Sequence, residues 1–242
     1  MGKLILNSHV AGRLLCGCLG PLAQRAHDRS TVVLKPLLSS SLQFAYKLLQ
    51  RFPSKAIVFG QSKLPIVHYW TDAMWEPPAP AGLGMFLLVP GRAPICGFTV
   101  IPNELLSQLL DRDQQINQAE ALACLLGPHN YPELFRGRDV MHFIDNSSAL
   151  AGCISGGSRV PDSNCVFQFH ALRLAELGCR YWAEFVESAA NLADEPSRLQ
   201  DGGPIAQSLL AMAVPCQLPP LSDLWTASLG SLPQTLLHTS FD

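Results

Sequence analysis

Hydrophobic and polar positions change period several times along the chain, and each change marks a predicted element. Residues 1–60 place Val10, Leu14 and Cys18 on one helical face and Leu42, Ala45, Leu48 and Leu49 on another, punctuated by Pro21, Pro36 and Pro53. Two or three short helices are expected there. From Pro65 the period shortens. Ile66, Val67, Tyr69 and Trp70 read as a strand that ends at Thr71-Asp72, and Pro77, Pro78 and Pro80 turn the chain. Ala81 to Val89 and Pro94 to Ile101 read as two more strands, joined at Pro90-Gly91-Arg92. Three strands with tight connections predict an antiparallel meander.

A helical stretch follows from Asn103 to Leu126, with a break expected near Asp111 to Gln114. Asp139 to Ile144 is a short buried strand. Ser147 to Ile154 is a helix ended by Gly156-Gly157, and Asn164 to Leu177 is a longer helix stopped at Gly178. Arg180 to Val186 is the last strand, and Asp194 opens a final helix. The order βββ-α-β-α-α-β-α predicts an α/β fold: a mixed five-stranded sheet flanked by helices, with an N-terminal helical extension. Three regions are expected: a basic helical segment over 1–60, the α/β domain over 61–200, and a Pro/Leu/Ser-rich tail over 201–242 without clear period.

Composition narrows the function. Hydrophobic residues make up 48% of the 242 and charged residues 15%, which suits a folded domain and excludes a disordered one. No apolar run reaches the roughly 18–20 residues of a membrane span, so no membrane partner is expected. Met1 to Ala23 is interrupted by Asn7, His9 and Arg13, a poor secretory signal. The eight cysteines are scattered, with one CxC at Cys16 and Cys18 and no second pair at zinc-site spacing. Reduced thiols and an intracellular location, cytoplasmic or nuclear, follow from that pattern. His68, His129, His142 and His170 are dispersed and read as core groups. The GxSxG, GxxxxGK[ST] and HExxH motifs are absent, which removes the hydrolase, P-loop and zincin classes they mark.

The net charge of −2 conceals an asymmetry. Residues 1–60 hold eight bases against one acid, net +7, and the rest hold nine bases against eighteen acids, net −9. A basic segment could hold phosphates while an acidic domain holds metal ions.

Four acids stand where this architecture can gather them: Asp72 at the first strand's end, Glu120 in the following helix, Asp145 at the fourth strand's end and Asp194 at the last helix. If the first and fourth strands are adjacent and parallel, Asp72 and Asp145 emerge at one edge. Carboxylates so close repel unless cations neutralise them, and Mg2+ (or Mn2+) suits hard oxygen ligands. Two such ions could activate a water and stabilise the leaving oxygen of a phosphodiester.

The segments around these acids are Tyr69-Trp70-Thr71-Asp72-Ala73, Gln118-Ala119-Glu120-Ala121-Leu122-Ala123, Phe143-Ile144-Asp145-Asn146-Ser147-Ser148-Ala149-Leu150 and Asn191-Leu192-Ala193-Asp194-Glu195-Pro196-Ser197-Arg198. In that order they resemble the four motifs of the retroelement ribonuclease H family, over about residues 65–198. The resemblance is to the domain that follows reverse transcriptase in DIRS-like, tyrosine-recombinase retrotransposons, and residues 11–38 look like part of the preceding connection segment.

The resemblance implies a ribonuclease H-like fold and an endonuclease that hydrolyses the RNA strand of RNA–DNA hybrids with two metal ions. Asp72, Glu120, Asp145 and Asp194 would be catalytic ligands. Asn146, Ser147, Arg173 and Arg198 would meet the substrate, and the polymerase part of a reverse transcriptase would be a partner. The chain also departs from the pattern. Met74 stands where the family often has Ser. No His lies between Gly178 and Asp194, and the basic helical handle of cellular relatives has no counterpart, so hybrid binding would fall to the basic N-terminal segment. The competing readings are a catalytically inactive nucleic-acid-binding or scaffolding module of the same fold, and a DNA-cleaving or exonucleolytic relative.

Overall fold

The computed structural model describes residues 64–77, 80–111, 115–199 and 212–220, with the isolated positions Leu38, Leu42, Ala45, Tyr46 and Leu224. The expected N-terminal helical extension and most of the tail lie outside these residues.

Strands β1 (Val67–Met74), β2 (Gly82–Leu88) and β3 (Ile95–Val100) form the expected antiparallel meander. Strand β4 (Asp139–Ile144) lies parallel to β1, and β5 (Arg180–Phe185) lies parallel to β4. A sixth strand, β6 (Val214–Pro215), pairs with β3 and completes the order β5-β4-β1-β2-β3-β6. The sheet is therefore mixed and flanked by helices, with one strand more than the sequence predicts. The extra strand comes from the tail, where two residues, one of them proline, carry no readable period. Gln217 fixes it by a reciprocal pair with Asn130: its N–H donates to Asn130 Oδ1 and its carbonyl accepts from Asn130 Nδ2, both at 2.9 Å.

Helices α1 (Asn103–Leu106) and α2 (Ile116–Ala123) occupy the stretch expected to be one broken helix, and α3 (Leu126–Asn130) and α4 (Pro132–Phe135) continue beyond its expected end at Leu126. Pro128 and Pro132 explain the later breaks, since proline cannot donate to the preceding turn. Helix α5 (Ser147–Ser155) begins on Asn146, whose side chain accepts from the Ser148 and Ala149 amides, and ends on Gly156 at φ 71°. Helix α6 (Pro161–Glu176) starts a turn earlier than expected because Pro161 sits in its first turn, where proline is tolerated. After β5 a 3-10 turn (Ser188–Ala190) leads to the short α7 (Asp194–Ser197).

The core lies between the sheet and helices α2, α5 and α6. Tyr69, Leu83, Met85, Leu87, Leu122, Leu126, Phe135 and Ile144 are fully buried there. Tyr69 joins the layers: its hydroxyl lies within hydrogen-bonding reach of the Ala123 carbonyl at 3.1 Å and accepts from the Gly127 amide at 2.9 Å.

Candidate active site

The register brings the first two acids together. Thr71 pairs with Ile144 across the parallel β1–β4 ladder, so Asp72 and Asp145 are the next residues on each chain. Adjacent strands are about 4.8 Å apart, so carboxylates at matched positions must meet. Helix α2 crosses the sheet and delivers Glu120. One ligand oxygen from each of Asp72, Glu120 and Asp145 lies within 4.8 Å of the other two.

Asp194 is outside that trio. It opens α7 beside Asp72, close enough for its charge to act on the Asp72 carboxyl, and its Oδ1 accepts from Arg198 Nε at 3.0 Å. Helix α7 reaches the sheet because β2 carries Gly84, the residue paired with Asp72. A Cβ at position 84 would lie 2.4 Å from the Ser197 amide nitrogen and 2.5 Å from the Ala193 carbonyl oxygen. Only glycine lets that backbone pass so near. The close approach sets Ser197, whose hydroxyl donates to Asp72 Oδ2 at 2.6 Å.

The electrostatics follow from burial and like charge. Asp72 and Glu120 are each 5% exposed. Burial raises the Asp72 pKa to about 7; the Ser197 hydrogen bond and Arg198 oppose the shift, and Asp145 and Asp194 add to it. Burial also pushes Glu120 well above the usual carboxylate range, with repulsion from Asp72 and Asp145 in the same direction and the Ala73 backbone amide opposing. Glu120 Oε2 and Asp145 Oδ1 are buried without a hydrogen-bond partner. Orphaned carboxylate oxygens in a cluster of three acids are a donor set suited to a hard divalent cation.

The expected substrate contacts divide. Asn146 follows Asp145 directly, but its polar atoms are engaged within the fold: Oδ1 caps α5 and Nδ2 donates to Asn117 Oδ1 at 3.0 Å. Ser147 is exposed on the first turn of α5. Arg198 is beside the acids, paired with Asp194 and half-exposed. Arg173 is not brought to the site. It lies in the last turn of α6, which leads to the start of β5, at the sheet edge opposite the carboxylates. There its Nε donates to the Pro128 carbonyl at 3.3 Å and its guanidinium pairs with Glu176.

The sequence reading gave no role to three residues that shape the site. Ser197 holds Asp72. Asn191 Nδ2 donates to the Thr71 carbonyl at 3.0 Å while its Oδ1 accepts from the Ala193 amide, tying the loop before α7 to β1. Asn117 orients Asn146. Ser197 and Asn191 stand in the quoted N-x-A-D-x-x-S-R segment, which could have flagged them; Asn117 carried no signal.

Among the described residues, no helix is long and apolar enough to cross a membrane. No family model and no curated protein matches the chain. Among solved structures it is similar to RNase H1 of the halophilic archaeon Halobacterium salinarum NRC-1, at 19% identity over 57% of this chain and 99% of that one, with a TM-score of 0.38. It is also similar to the N-terminal RNase H domain of a Mycobacterium tuberculosis protein fused to maltose-binding protein, at 18% identity over 60% and 98% of the two chains, TM-score 0.40. A third similar structure is LC9-RNase H1, a type 1 RNase H with the type 2 active-site motif, at 11% identity over 76% and 89%, TM-score 0.32.

Proposed function

We propose that this chain is a ribonuclease H-type phosphodiester hydrolase that cuts the RNA strand of RNA–DNA hybrids. The observation that carries the reading is the convergence of Asp72, Glu120 and Asp145, from three separate elements, into one buried cluster with orphaned oxygens. Such a cluster destabilises the fold unless cations compensate, so its presence argues for metal-dependent work.

Asp72, Glu120 and Asp145 would hold the cations, Mg2+ or Mn2+, with Asp194 completing the set on release from Arg198. Bound there, two ions would supply an activated water and charge neutralisation at the scissile phosphate. The chain's own groups prepare that chemistry. Ser197 fixes Asp72 by donating to its Oδ2. Asp72, whose pKa burial raises to about 7, would have to be ionised to hold a cation. Arg198, freed from Asp194, offers a positive charge to a phosphate at the rim, and Ser147 lies exposed beside Asp145. The ordered resemblance of the four segments to retroelement motifs supports a place as the nuclease part of a reverse transcriptase, with the basic segment 1–60 gripping the hybrid.

The test is cleavage of matched RNA–DNA, RNA–RNA and DNA–DNA duplexes with and without Mg2+. Selective, Mg2+-dependent cleavage of the RNA strand is expected. Cleavage of the DNA duplex would reassign the substrate, and tight hybrid binding without cleavage would make the chain a binding module.

A further inference from the structure

A second cluster lies between β4 and helices α2, α5 and α6 and takes no part in the carboxylate site. Cys124 follows the last turn of α2, His142 lies in β4, Cys153 in α5 and His170 in α6. All four are at most 2% exposed. One ligand atom from each of Cys124, His142 and Cys153 lies within 4.8 Å of the other two. His170 Nδ1 reaches Cys153 Sγ at 4.0 Å, and its other ring nitrogen, Nε2, is buried without a partner.

An apolar core has no use for two thiols and two imidazoles at one point. Burial of polar groups is unfavourable unless each finds a partner, and His170 Nε2 has none. Two Cys and two His are, by contrast, a complete tetrahedral ligand set for a borderline-soft divalent cation. Bonds of about 2.0–2.3 Å place neighbouring ligand atoms roughly 3.3–3.8 Å apart, so the three nearest groups would close by about 1.5 Å at most. The surroundings also suit a metal-bound imidazole. His142 Nδ1 lies 2.6 Å from the Tyr181 hydroxyl and Nε2 lies 2.8 Å from Thr71 Oγ1, which itself is 3.9 Å from Cys124 Sγ. With His142 ligating through Nε2 in place of its contact with Thr71, Tyr181 is the outer partner at Nδ1.

We propose that Cys124, His142, Cys153 and His170 form a buried structural site for a thiophilic divalent cation, Zn2+ in chemical class, that pins α2, α5 and α6 to β4. The site is closed: four protein ligands leave no position for substrate, so its work is to hold the helix that carries Glu120. The inference does not depend on the nuclease reading.

The full chain, isolated under reductant and stripped with chelator, is titrated with Co2+ in excess Mg2+, which occupies hard oxygen sites without a thiolate signal. The expected result is a near-ultraviolet thiolate-to-cobalt absorption that saturates at one equivalent and is bleached by one equivalent of Zn2+. Chain isolated without chelator should carry one zinc by elemental analysis. The absorption should be lost in Cys153→Ala and unchanged in Cys179→Ala, a thiol outside the cluster. Absence of the band in the folded wild-type chain overturns the proposal whether or not the variants fold. So does a band that survives in Cys153→Ala.

Discussion

Two clusters lie side by side along β1 and β4, Asp72 one residue beyond Thr71 and Asp145 three beyond His142, and they differ in chemistry. Asp72 near the end of β1 and Asp145 just past β4 repel each other and Glu120, and Glu120 and Asp145 keep orphaned oxygens. Thr71 and His142, just inside, belong to a network that runs through Tyr181 and the thiols. Burial there pushes the His142 imidazole below its usual range and so favours its neutral form. The edge accumulates like charge at the expense of stability, while in the interior both ring nitrogens of His142 are engaged, by Thr71 and Tyr181. A fold can carry the first kind of cluster when the layer beneath it is rigid.

The comparison breaks most readily at the acids. Asp72→Asn and Asp145→Asn should each lower hybrid cleavage by about 10³-fold or more, the several kcal/mol that metal-assisted charge stabilisation contributes. Their melting temperature without metal should hold or rise, because a repelling charge has gone. Hydrolysis rates beside thermal melts check both halves, and a wild-type rate in either variant would contradict the site.

The pH dependence comes next. Asp72 binds its proton more tightly folded, near pH 7, than unfolded, near pH 3.8. The metal-free chain therefore binds more protons than its unfolded state in that window, and stability should fall as pH rises from about 4 to about 7, by up to about 1.4 kcal/mol per unit. Glu120 acts with the same sign. Denaturant titrations across this range should show the slope, and Mg2+ or Asp72→Asn should flatten it.

Gly84→Ala drives a methyl group into the α7 backbone and should destabilise by about 1–3 kcal/mol, the usual range for overpacking. Cleavage should fall with it, since Ser197 and Asp194 retreat from Asp72. An unchanged melting curve would show that α7 yields freely. Within the inner layer, Tyr181→Phe removes one partner of His142 and should cost about 1 kcal/mol in denaturant unfolding, with no change in the pH slope. Arg173→Ala should do least: about 0.5 kcal/mol of stability and no change in hybrid affinity, whereas Arg198→Ala should weaken that affinity.

Much of this was legible in the chain. The strands announced themselves by alternation, and the expected parallel pairing of β1 with β4 anticipated the meeting of Asp72 and Asp145, with Glu120 joining them and Asp194 lying outside the trio. Strand β1 runs two residues past the expected stop because β2 continues to pair with it as far as Gly82 opposite Met74. Polar residues at a strand end look like a turn until a partner strand is known. Helix α6 begins at Pro161, not Asn164, whose side chain accepts from the Ser158 amide from a position already inside the helix. The Cys and His cluster was invisible: its members at 124, 142, 153 and 170 come from four elements, so no local spacing betrays them. Arg173 misled because helix membership says which element a residue rides on and not which end of the sheet that element has reached.

The short β6 has a consequence for how the chain matures. It pairs with Gly97 and Phe98, and the Cys216 amide donates to the Phe98 carbonyl at 2.7 Å, sealing the outer side of β3. The ribosome makes residues 214–216 more than a hundred positions after the strand they cover. Throughout that interval the β3 margin is a bare ladder of amides and carbonyls, open to a neighbouring nascent chain. Truncation just after α7 would make that interval permanent, yielding a protein whose four acids are intact and whose tendency is to aggregate.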